Sequence, residues 1–469
     1  MEGCRYSNPG KGGGGDCFHW PHRTKLEIFL VSFTKGSDVN TQKDCPWKTV
    51  IGSTIGNALE WYDFLIFGYL SVLIAKQFFP SDNPLTSLLL TTATFGVGFI
   101  FRPLAGVWIG MYADRRGRKA ALSFVILLMF VSTAMLAFAP TYQQAGMWAP
   151  IIVVISRILQ GISAGGEFGS ATALLVELAP ENRKGFYGSW QMFAQAIGSF
   201  MATLSAAMLT SWFPSDSLAS WAWRLPFIVG LVIGPIGYWI RRNIDESDEF
   251  KEATKQPSIP FRKLLTDYPV AMFISIALGG ATNVMVYVLV GYLPIYAVQT
   301  LHLPVNTPFV VLAVTMPIRM IFVPIFGHLS DKLGRKQVMG TALALFIALV
   351  YPAFIWLSHS PGTVSLLVIE LGFSVVMAAV LGPFAATAAD LFPTSVRSTG
   401  MSLAYNLTAA LLGGFSPFIL TWLVARTGDL MMPAHYMVIF LALGAFSLLG
   451  YKQSNIQDLE MVSGLPRRS

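Results

Sequence analysis

The sequence predicts an all-α membrane protein in which twelve transmembrane helices form two pseudo-symmetric halves of six. Of its 469 residues, 54% are hydrophobic and only 12% are charged, whereas a soluble domain usually carries about 25% charged residues. Twelve apolar stretches are long enough to cross a bilayer core, which takes about 20 residues. A ten-residue phrase that begins at Gly110 also recurs at Gly327, as expected of a duplicated membrane bundle.

The predicted spans are separated by short polar turns. They lie near 50–75, 88–112, 120–139, 149–175, 186–212, 223–241, 269–297, 307–328, 337–357, 363–388, 400–425 and 433–451. We expect five segments: a disordered cytoplasmic tail (1–47), a first half (48–241), a charged cytoplasmic linker (242–268), a second half (269–452) and a cytoplasmic C-terminal tail (453–469).

The distribution of basic residues predicts the topology. The loops after even-numbered spans carry sixteen arginines and lysines, whereas the opposite side has only Lys76, Arg224 and Arg426. Since retained positive charge marks the cytoplasm, we expect a multi-pass protein of the inner (plasma) membrane with both termini inside. The basic pI is then a property of the loops beside membrane lipid and indicates no nucleic-acid partner.

The repeated phrase reads Gly-x-x-x-Asp-x-x-Gly-Arg-Lys in both copies. Its second glycine permits a tight reversal, and its aspartate can accept hydrogen bonds from a helix N-terminus or an arginine. Two further short sequence segments, which end at Arg183 and Arg397, each contain an acid, a proline and an arginine at the end of span 4 or span 10. Together they predict a cytoplasmic latch that stabilises the outward-open state. The latch comprises Asp114, Arg118, Asp331, Arg335, Arg183 and Arg397.

This turn resembles the signature loop of the major facilitator superfamily, and the resemblance covers roughly 48–452. Within the superfamily the chain is similar to the metabolite:proton symporters. That similarity rests on Gly56-Asn57-Ala-Leu-Glu60-Trp61-Tyr62-Asp63-Phe64, Phe101-Arg102-Pro103-Leu104-Ala105-Gly106, Arg157-Ile-Leu-Gln160-Gly161-Ile-Ser163-Ala-Gly165-Gly166-Glu167, Lys184-Gly185-Phe186-Tyr187 and Trp221-Ala-Trp223-Arg224-Leu-Pro226-Phe227. The resemblance implies the major facilitator fold and secondary active transport of a small metabolite with protons, by alternating access to a central site.

Two intramembrane arginines are the leading substrate-binding residues. Arg102 lies twelve residues before Asp114, and Arg319 lies twelve before Asp331, which is roughly 18 Å above the cytoplasmic turn at 1.5 Å per residue. We expect both guanidinium groups to face one cavity, where their planar donors suit carboxylates. The alternative is that each arginine pairs with an acid of the protein.

Carboxylates at similar depth are predicted to couple transport to protons. A carboxyl group in a low-dielectric site holds a proton more readily unless a cation is close, and the six histidines fall outside mid-membrane. Our proton-coupling residues are Glu60, Asp63 and Glu167, with Arg157 as a partner for one of them. A permanent ion pair that only holds helices together is the alternative. Glu370, near the outer end of span 10, is expected to be interfacial.

Polar side chains within the spans provide further substrate contacts or, alternatively, bonds between helices. Those that we expect to contact substrate are Asn57, Tyr62, Gln191, Asn283, Tyr287 and Asn406.

These residues favour a proton symporter that imports a polycarboxylate such as citrate or tricarballylate. A dicarboxylate such as 2-oxoglutarate is the nearest alternative. A proline or betaine proton symporter is another, because Trp61 and Tyr62 could face a quaternary ammonium. A membrane enzyme or sensor finds little support, since the spans contain no cysteine. We expect no enzyme activity, no cofactor and no metal, and a monomer whose partners are a small organic acid and a proton.

Overall fold

The computed structural model of the chain describes residues 47–116, 118–165, 167–242, 266–393 and 397–451. The expected N-terminal tail, most of the expected linker and the expected C-terminal tail therefore lie outside the described residues. The backbone of the first repeated turn is described on both sides of Gly117. The side chains of Asp114 and Arg118, however, lie outside the described part.

Over these ranges the chain forms twelve helical spans, which confirms the predicted all-α architecture. Spans 1–6 comprise Trp47–Tyr69 with Ser71–Phe78, Pro84–Arg116, Arg118–Ala137, Trp148–Ala164 with Glu167–Glu177, Lys184–Trp212, and Leu225–Arg242. Spans 7–12 comprise Pro269–Val286 continued to Gln299, Thr307–Leu333, Arg335–His359, Thr363–Asp390, Arg397–Thr408 continued to Thr427, and Met432–Ser447.

Most spans cross a bilayer by length and apolarity alone. Among the described residues, eight helices pass that test, and Thr54–Tyr69 with Ser71–Phe78, bent by 64° at their junction, forms a ninth. Three shorter apolar helices, Phe124–Ala137, Ala222–Val232 and Met432–Ser447, complete the set. At 1.5 Å per residue, a helix of about 16 residues reaches roughly 24 Å, and bilayers accommodate such a mismatch at modest cost.

Close helix crossings join the spans on either side of the central linker. Spans 5, 8 and 10 pack on one another, and span 11 packs on spans 2 and 4. At the crossing of spans 5 and 8, a Cβ added to Gly185 would lie 2.6 Å from the backbone oxygen of Gly327. Only glycine permits this approach, which is how small residues let membrane helices pack without a hydrophobic driving force.

Spans 7 and 11 are each widened by a π-helical turn, at Tyr287–Tyr292 and Ala409–Gly414. The two turns face each other, since a Cβ on Gly413 would lie 2.8 Å from the ring of Tyr287. Such π-helical turns often occur at functional sites. Here the turn in span 7 presents Tyr287 to the aromatic residues of spans 1 and 2.

Candidate functional site

Arg102 and Glu60 form a buried ion pair between spans 2 and 1. The Nη2 group of Arg102 donates a hydrogen bond to Oε1 of Glu60, and the two side chains are 2% and 8% exposed. The guanidinium carbon also lies 4.5 Å from the ring centroid of Phe64 and 4.4 Å from that of Phe99. Because a buried charge without a counter-charge is costly, Glu60 balances Arg102. In this conformation Arg102 is held by an acid of the protein.

A second guanidinium group, that of Arg157 in span 4, lies on the other side of Phe64. Its carbon is 4.7 Å from the ring of Phe64, 4.5 Å from that of Phe67 and 5.5 Å from that of Phe95. Its Nη1 donates to Oε1 of Gln160, whereas Nε and Nη2 have no hydrogen-bond partner among the described residues. The ring of Phe64 therefore separates two buried cations.

Asp63, three residues after Glu60 in span 1, has hydrogen-bond partners of its own. Its Oδ2 accepts a hydrogen bond of 2.6 Å from the hydroxyl of Thr133 in span 3. Its Oδ1 would lie 2.8 Å from a Cβ on Gly230 in span 6. The charge of Asp63 acts on the guanidinium group of Arg157, but the ion pairs within 4.0 Å in the described part of the protein do not include these two residues. Glu60 and Asp63 thus serve two separate clusters.

A cluster of aromatic rings lines the contact between spans 1, 2 and 7; we call Trp61, Phe95, Phe99 and Tyr287 the aromatic wall. The ring of Tyr287 is 5.5 Å from Trp61, 5.5 Å from Phe99 and 6.4 Å from Phe95, measured between centroids. Every one of these side chains is buried. Since Phe99 also faces Arg102, the wall and the Arg102–Glu60 pair form one continuous site.

Tyr405 of span 11 closes the other side of this site. Its ring stacks on Phe168 of span 4 with centroids 3.7 Å apart, and its hydroxyl accepts a hydrogen bond of 3.0 Å from Gln195 of span 5. Tyr405 also interacts electrostatically with Arg102 and Glu60. Spans 4, 5 and 11 therefore contribute to the same site as spans 1, 2 and 7.

Four of the expected substrate contacts make hydrogen bonds within the protein. Asn57 donates to the backbone oxygen of Gln191 at 3.2 Å, and Asn406 donates to that of Gly165 at 2.7 Å. Asn283 donates to Gly279 at 2.9 Å and to Thr408 at 3.1 Å. Tyr62 donates to Pro226 at 2.8 Å. In this conformation these four side chains act as bonds between or within helices, which was the alternative for each of them.

Gln191 differs from those four. Both amide atoms of the Gln191 side chain are buried and have no hydrogen-bond partner in the described part of the protein. Glu167 begins the second helical segment of span 4 and is buried. Burying an amide group without hydrogen-bond partners costs free energy. The Gln191 side chain can therefore form hydrogen bonds with a bound molecule, or with the protein in another conformation.

Arg319 lies in a separate cluster and does not meet Arg102. Its guanidinium nitrogens contact the sulfur atoms of Met316 and, at 3.2 Å, of Met377. It interacts electrostatically with Glu370 of span 10 and Tyr69 of span 1. The described contacts of Arg102 and Arg319 thus have no residue in common.

The interfacial position expected for Glu370 is wrong. The residue is 3% exposed, because its side chain lies among residues of spans 7 and 8.

The residues of the predicted latch that the structure describes join the first six spans to the last six. Asp331, at the end of span 8, accepts hydrogen bonds from the backbone nitrogens of Gly185 at 2.7 Å and Phe186 at 2.9 Å. Arg397 donates to Glu177 of span 4 at 3.0 Å.

A second ion pair lies within spans 8–10, where Arg335 bonds to Asp390. Asp390 also accepts a hydrogen bond of 3.0 Å from Tyr451. Tyr451 lies beyond span 12, and burial raises the pKa of its phenol while Arg335 opposes that rise. Arg183 is exposed at the turn before span 5.

The described fold and site are those of a membrane transporter. Twelve helical spans form two groups of six, hydrogen bonds join the groups, and a buried polar site lies between them. The family model of the major facilitator superfamily matches residues 54–417, and the chain belongs to that superfamily. The chain is 32% identical over 429 residues to a glycine betaine/proline/ectoine/pipecolic acid transporter of Dickeya dadantii, covering 88% of this chain and 84% of that one. It is 32% identical over 428 residues to the proline/betaine transporter of Escherichia coli, with coverage of 88% and 85%.

A different type of transporter is similar to the same degree. The citrate-proton symporter of Klebsiella pneumoniae is 33% identical over 390 residues, covering 83% of this chain and 88% of that one. Among solved structures, a proton:xylose symporter, XylE, superposes with a TM-score of 0.70 at 18% identity, covering 89% of this chain and 98% of that chain. The structural likeness establishes the fold, and the particular solute depends on the site.

Proposed function

We propose that the chain is a proton-coupled symporter that imports a small zwitterion of the proline or glycine betaine class across a bacterial inner membrane. The observation that carries this proposal is the Arg102–Glu60 ion pair next to the aromatic wall. A zwitterion has one carboxylate and one ammonium group, and this site has one partner for each. Both termini face the cytoplasm in this proposal, as the basic loops indicate.

The balance of buried charge favours a neutral substrate over a polycarboxylate. Arg102 pairs with Glu60, Arg157 interacts with Asp63, and Arg319 interacts with Glu370. Arg102 is paired directly with Glu60, so the solute site itself offers one guanidinium group whose charge an acid of the protein already balances. The contacts of Arg102, with Glu60, and of Arg319, with Met316 and Met377, share no residue, which favours a solute with one carboxylate over a polycarboxylate.

The aromatic wall supplies a surface for the cationic end of the solute. A quaternary or secondary ammonium within about 6 Å of an aromatic centroid is stabilised by roughly 0.5–2 kcal/mol per ring. Trp61 and Tyr287 come from spans 1 and 7, with centroids 5.5 Å apart. A solute bound against both rings would contact both groups of six spans, as alternating access about a central site requires.

Glu60 couples solute binding to a proton in this proposal. When Glu60 is ionised, it occupies the Nη2 group of Arg102. Protonation of Glu60 removes its charge and releases the guanidinium group, which then binds the solute carboxylate. One proton and one zwitterion enter together, so the loaded site carries one more positive charge than the empty site, with the solute carboxylate paired to Arg102. Because leaving either buried charge alone is costly, entry of the solute without the proton is disfavoured.

Two groups of relatives support proton-coupled transport of a small solute by this fold. The proline/betaine transporters cover most of this chain at 32% identity, and their named solutes are the zwitterions that the site suits. The citrate-proton symporter is similar to the same degree, so citrate is the competing solute in the test. A membrane enzyme or sensor is disfavoured by membership of a transporter superfamily.

The latch is proposed to hold the cytoplasmic side closed while the solute site faces outwards. Asp331 bonds to the first turn of span 5 and Arg397 bonds to Glu177. These bonds must break before the two groups of six spans separate on that side.

Counterflow in proteoliposomes tests the solute. Vesicles loaded with unlabelled proline, glycine betaine or citrate are diluted into the labelled compound, with and without an inward pH gradient. We expect counterflow of proline or glycine betaine, accelerated by the gradient, and none of citrate. Counterflow of citrate alone would overturn the proposal.

A further inference from the structure

A chain of hydrogen bonds joins three spans at the end of the molecule opposite the latch. The hydroxyl of Tyr351 in span 9 lies 2.8 Å from Nδ1 of His435 in span 12, and Nε2 of His435 lies 3.2 Å from Oδ2 of Asp429. The hydroxyl of Tyr296 in span 7 donates a hydrogen bond of 2.9 Å to the backbone oxygen of Leu430. Asp429 and Leu430 belong to the turn between spans 11 and 12. One imidazole ring therefore connects span 9 to the turn that also holds span 7.

This turn comprises residues 428–431, and we call it the outer turn. Span 11 begins at the latch residue Arg397 and leads to the outer turn, which therefore lies at the far end of the span from the latch. Oδ1 of Asp429 accepts a hydrogen bond of 2.8 Å from the backbone nitrogen of Met431. One oxygen of Asp429 thus stabilises the turn, while the other faces His435.

The imidazole ring of His435 keeps the same neighbours in both of its protonation states, but it binds them differently. Its side chain is 42% exposed, and imidazole is the side-chain group that gains or loses a proton between about pH 5 and 8. An ionised carboxylate only accepts hydrogen bonds, so the neutral ring carries its proton on Nε2, facing Asp429, and accepts from Tyr351 at Nδ1. When a second proton binds to Nδ1, the hydroxyl of Tyr351 becomes the acceptor. The contact with Asp429 then becomes an ion pair, which is stronger than the neutral hydrogen bond.

Other ionisable groups approach His435 from the three spans that pack against span 12, which are spans 7, 9 and 11. Span 7 contributes Tyr296, whose hydroxyl is bonded to the outer turn. Span 9 contributes His359, which bonds to the backbone of its own helix, and span 11 contributes Arg426, which is exposed at its end. Among the ion pairs of the described residues, His435 takes part in the one with Asp429. Asp429 is therefore the charged group that a protonated His435 meets.

We propose that His435 is a pH-sensing residue at the outer end of the protein, and that its protonation tightens the outer turn and so restrains the outer part of span 7. That part, Leu293–Gln299, follows the π-helical turn Tyr287–Tyr292, and Tyr296 ties it to the outer turn. Because a π-helical turn interrupts the regular helix, the outer part can move while the rest of span 7 stays packed. At acid pH the ion pair holds it in place, and at alkaline pH only the weaker neutral bond remains. This regulation is separate from the proton coupling at Glu60.

Electron paramagnetic resonance of a nitroxide label tests the switch without any solute. The label is attached at Leu430→Cys, an exposed position of the outer turn, in the full-length protein with its three native cysteines replaced by serine. We expect the rotational rate of the label to fall about threefold between about pH 8 and pH 5.5. His435→Gln keeps a donor and an acceptor but does not titrate, so its label should not respond to pH, whereas the control His359→Gln should respond as the unmutated histidine does. A response that persists in His435→Gln, or that is missing when His435 is present, would overturn the proposal.

Counterflow of glycine betaine at equal pH on both sides of the membrane measures the effect on transport. We expect His435→Gln to match wild type at about pH 8 and to be about threefold faster at about pH 5.5, where only wild type forms the ion pair. Asp429→Asn removes the charge but keeps an acceptor, so it should behave like His435→Gln. Since Glu60 is the same in all three proteins, the ratio of rates isolates the effect of His435, and a ratio that does not change with pH would overturn the restraint on span 7. Absence of counterflow in wild type with every solute tested would instead refute the proposed function and leave the resonance result standing.

Discussion

Arg102 of span 2 donates a hydrogen bond to Glu60 of span 1, at a point where Phe99 of the aromatic wall faces the same guanidinium group. The pair places opposite charges next to rings that reach Tyr287 of span 7. Protonation of the Glu60 carboxylate would remove its negative charge and leave the guanidinium group of Arg102 free for another partner. The arrangement therefore connects the ionisation of one carboxyl group with the availability of one arginine.

Replacing Glu60 by glutamine is expected to uncouple transport from protons. Glutamine keeps the shape of the side chain and a hydrogen-bond acceptor for Arg102, but it cannot ionise. We expect counterflow of glycine betaine to continue, while accumulation driven by an inward pH gradient falls about tenfold or more. Parallel assays in proteoliposomes measure both. Asp216→Asn is the matched control, and gradient-driven accumulation at the wild-type level in Glu60→Gln would contradict the role of this acid.

Replacing Arg102 by lysine tests the need for a planar donor group. Lysine retains the positive charge that balances Glu60, so the protein should fold and insert normally. It cannot present two parallel donors to a carboxylate, and charge-assisted hydrogen bonds contribute roughly 1.5–3 kcal/mol. We expect the apparent affinity for proline to fall about tenfold to a hundredfold, as measured by the concentration dependence of uptake. An unchanged affinity would remove Arg102 from the solute site.

Removing one ring of the aromatic wall should weaken binding of the ammonium group. Tyr287→Leu deletes the ring that joins spans 1, 2 and 7, whereas Tyr287→Phe keeps the ring and deletes only the hydroxyl. A cation–π contact of about 1–2 kcal/mol corresponds to a loss of roughly fivefold to thirtyfold in affinity. Titration of glycine betaine binding to purified variants should show this loss for leucine and near-normal binding for phenylalanine. Equal losses in both variants would point to the hydroxyl instead.

Breaking the latch should open the cytoplasmic side. Asp331→Ala removes the acceptor for two backbone nitrogens of span 5. A cysteine in place of Ser189, which is buried beside Gly327, reports opening through its reaction with a membrane-impermeant maleimide in inverted vesicles, once Cys4, Cys17 and Cys45 are replaced by serine. We expect labelling to accelerate about tenfold.

The control for the latch is Glu181→Ala. Glu181 pairs with Lys184 at 3.1 Å with its side chain 71% exposed, and exposed pairs of this kind contribute little. Labelling of Ser189→Cys should therefore be the same with or without Glu181. Equal labelling rates in the Asp331→Ala and Glu181→Ala backgrounds would refute the latch.

Sequence alone predicted the arrangement along each span better than the arrangement between spans. Hydrophobic length predicted the twelve spans, and the repeated turn located Asp331 at its bond to span 5. Depth follows from counting residues along a helix, so Arg102 and Glu60 were both expected inside the membrane. Whether an arginine faces a shared cavity or a neighbouring acid depends on helix rotation and packing, which the spacing of residues does not determine.

The residues that the sequence missed are mostly apolar. Phe64, Phe95 and Phe99 belong to spans in which nearly every residue is hydrophobic, so no periodic signal separates a ring in the site from a ring that faces lipid. Glu370 was placed at the membrane surface because it lies near a predicted span end. Span 10 does begin at Thr363, where the sequence placed it. What the sequence did not show is that residues of spans 7 and 8 pack around the side chain.

Proton uptake that accompanies solute entry tests the central claim most directly. A pH-sensitive dye outside proteoliposomes reports protons entering with a pulse of glycine betaine, in the absence of an imposed gradient. In wild type, we expect the external medium to become more alkaline in proportion to the labelled betaine taken up, and in Glu60→Gln we expect betaine to equilibrate without that change. Betaine entry in wild type with no accompanying proton movement would contradict the account.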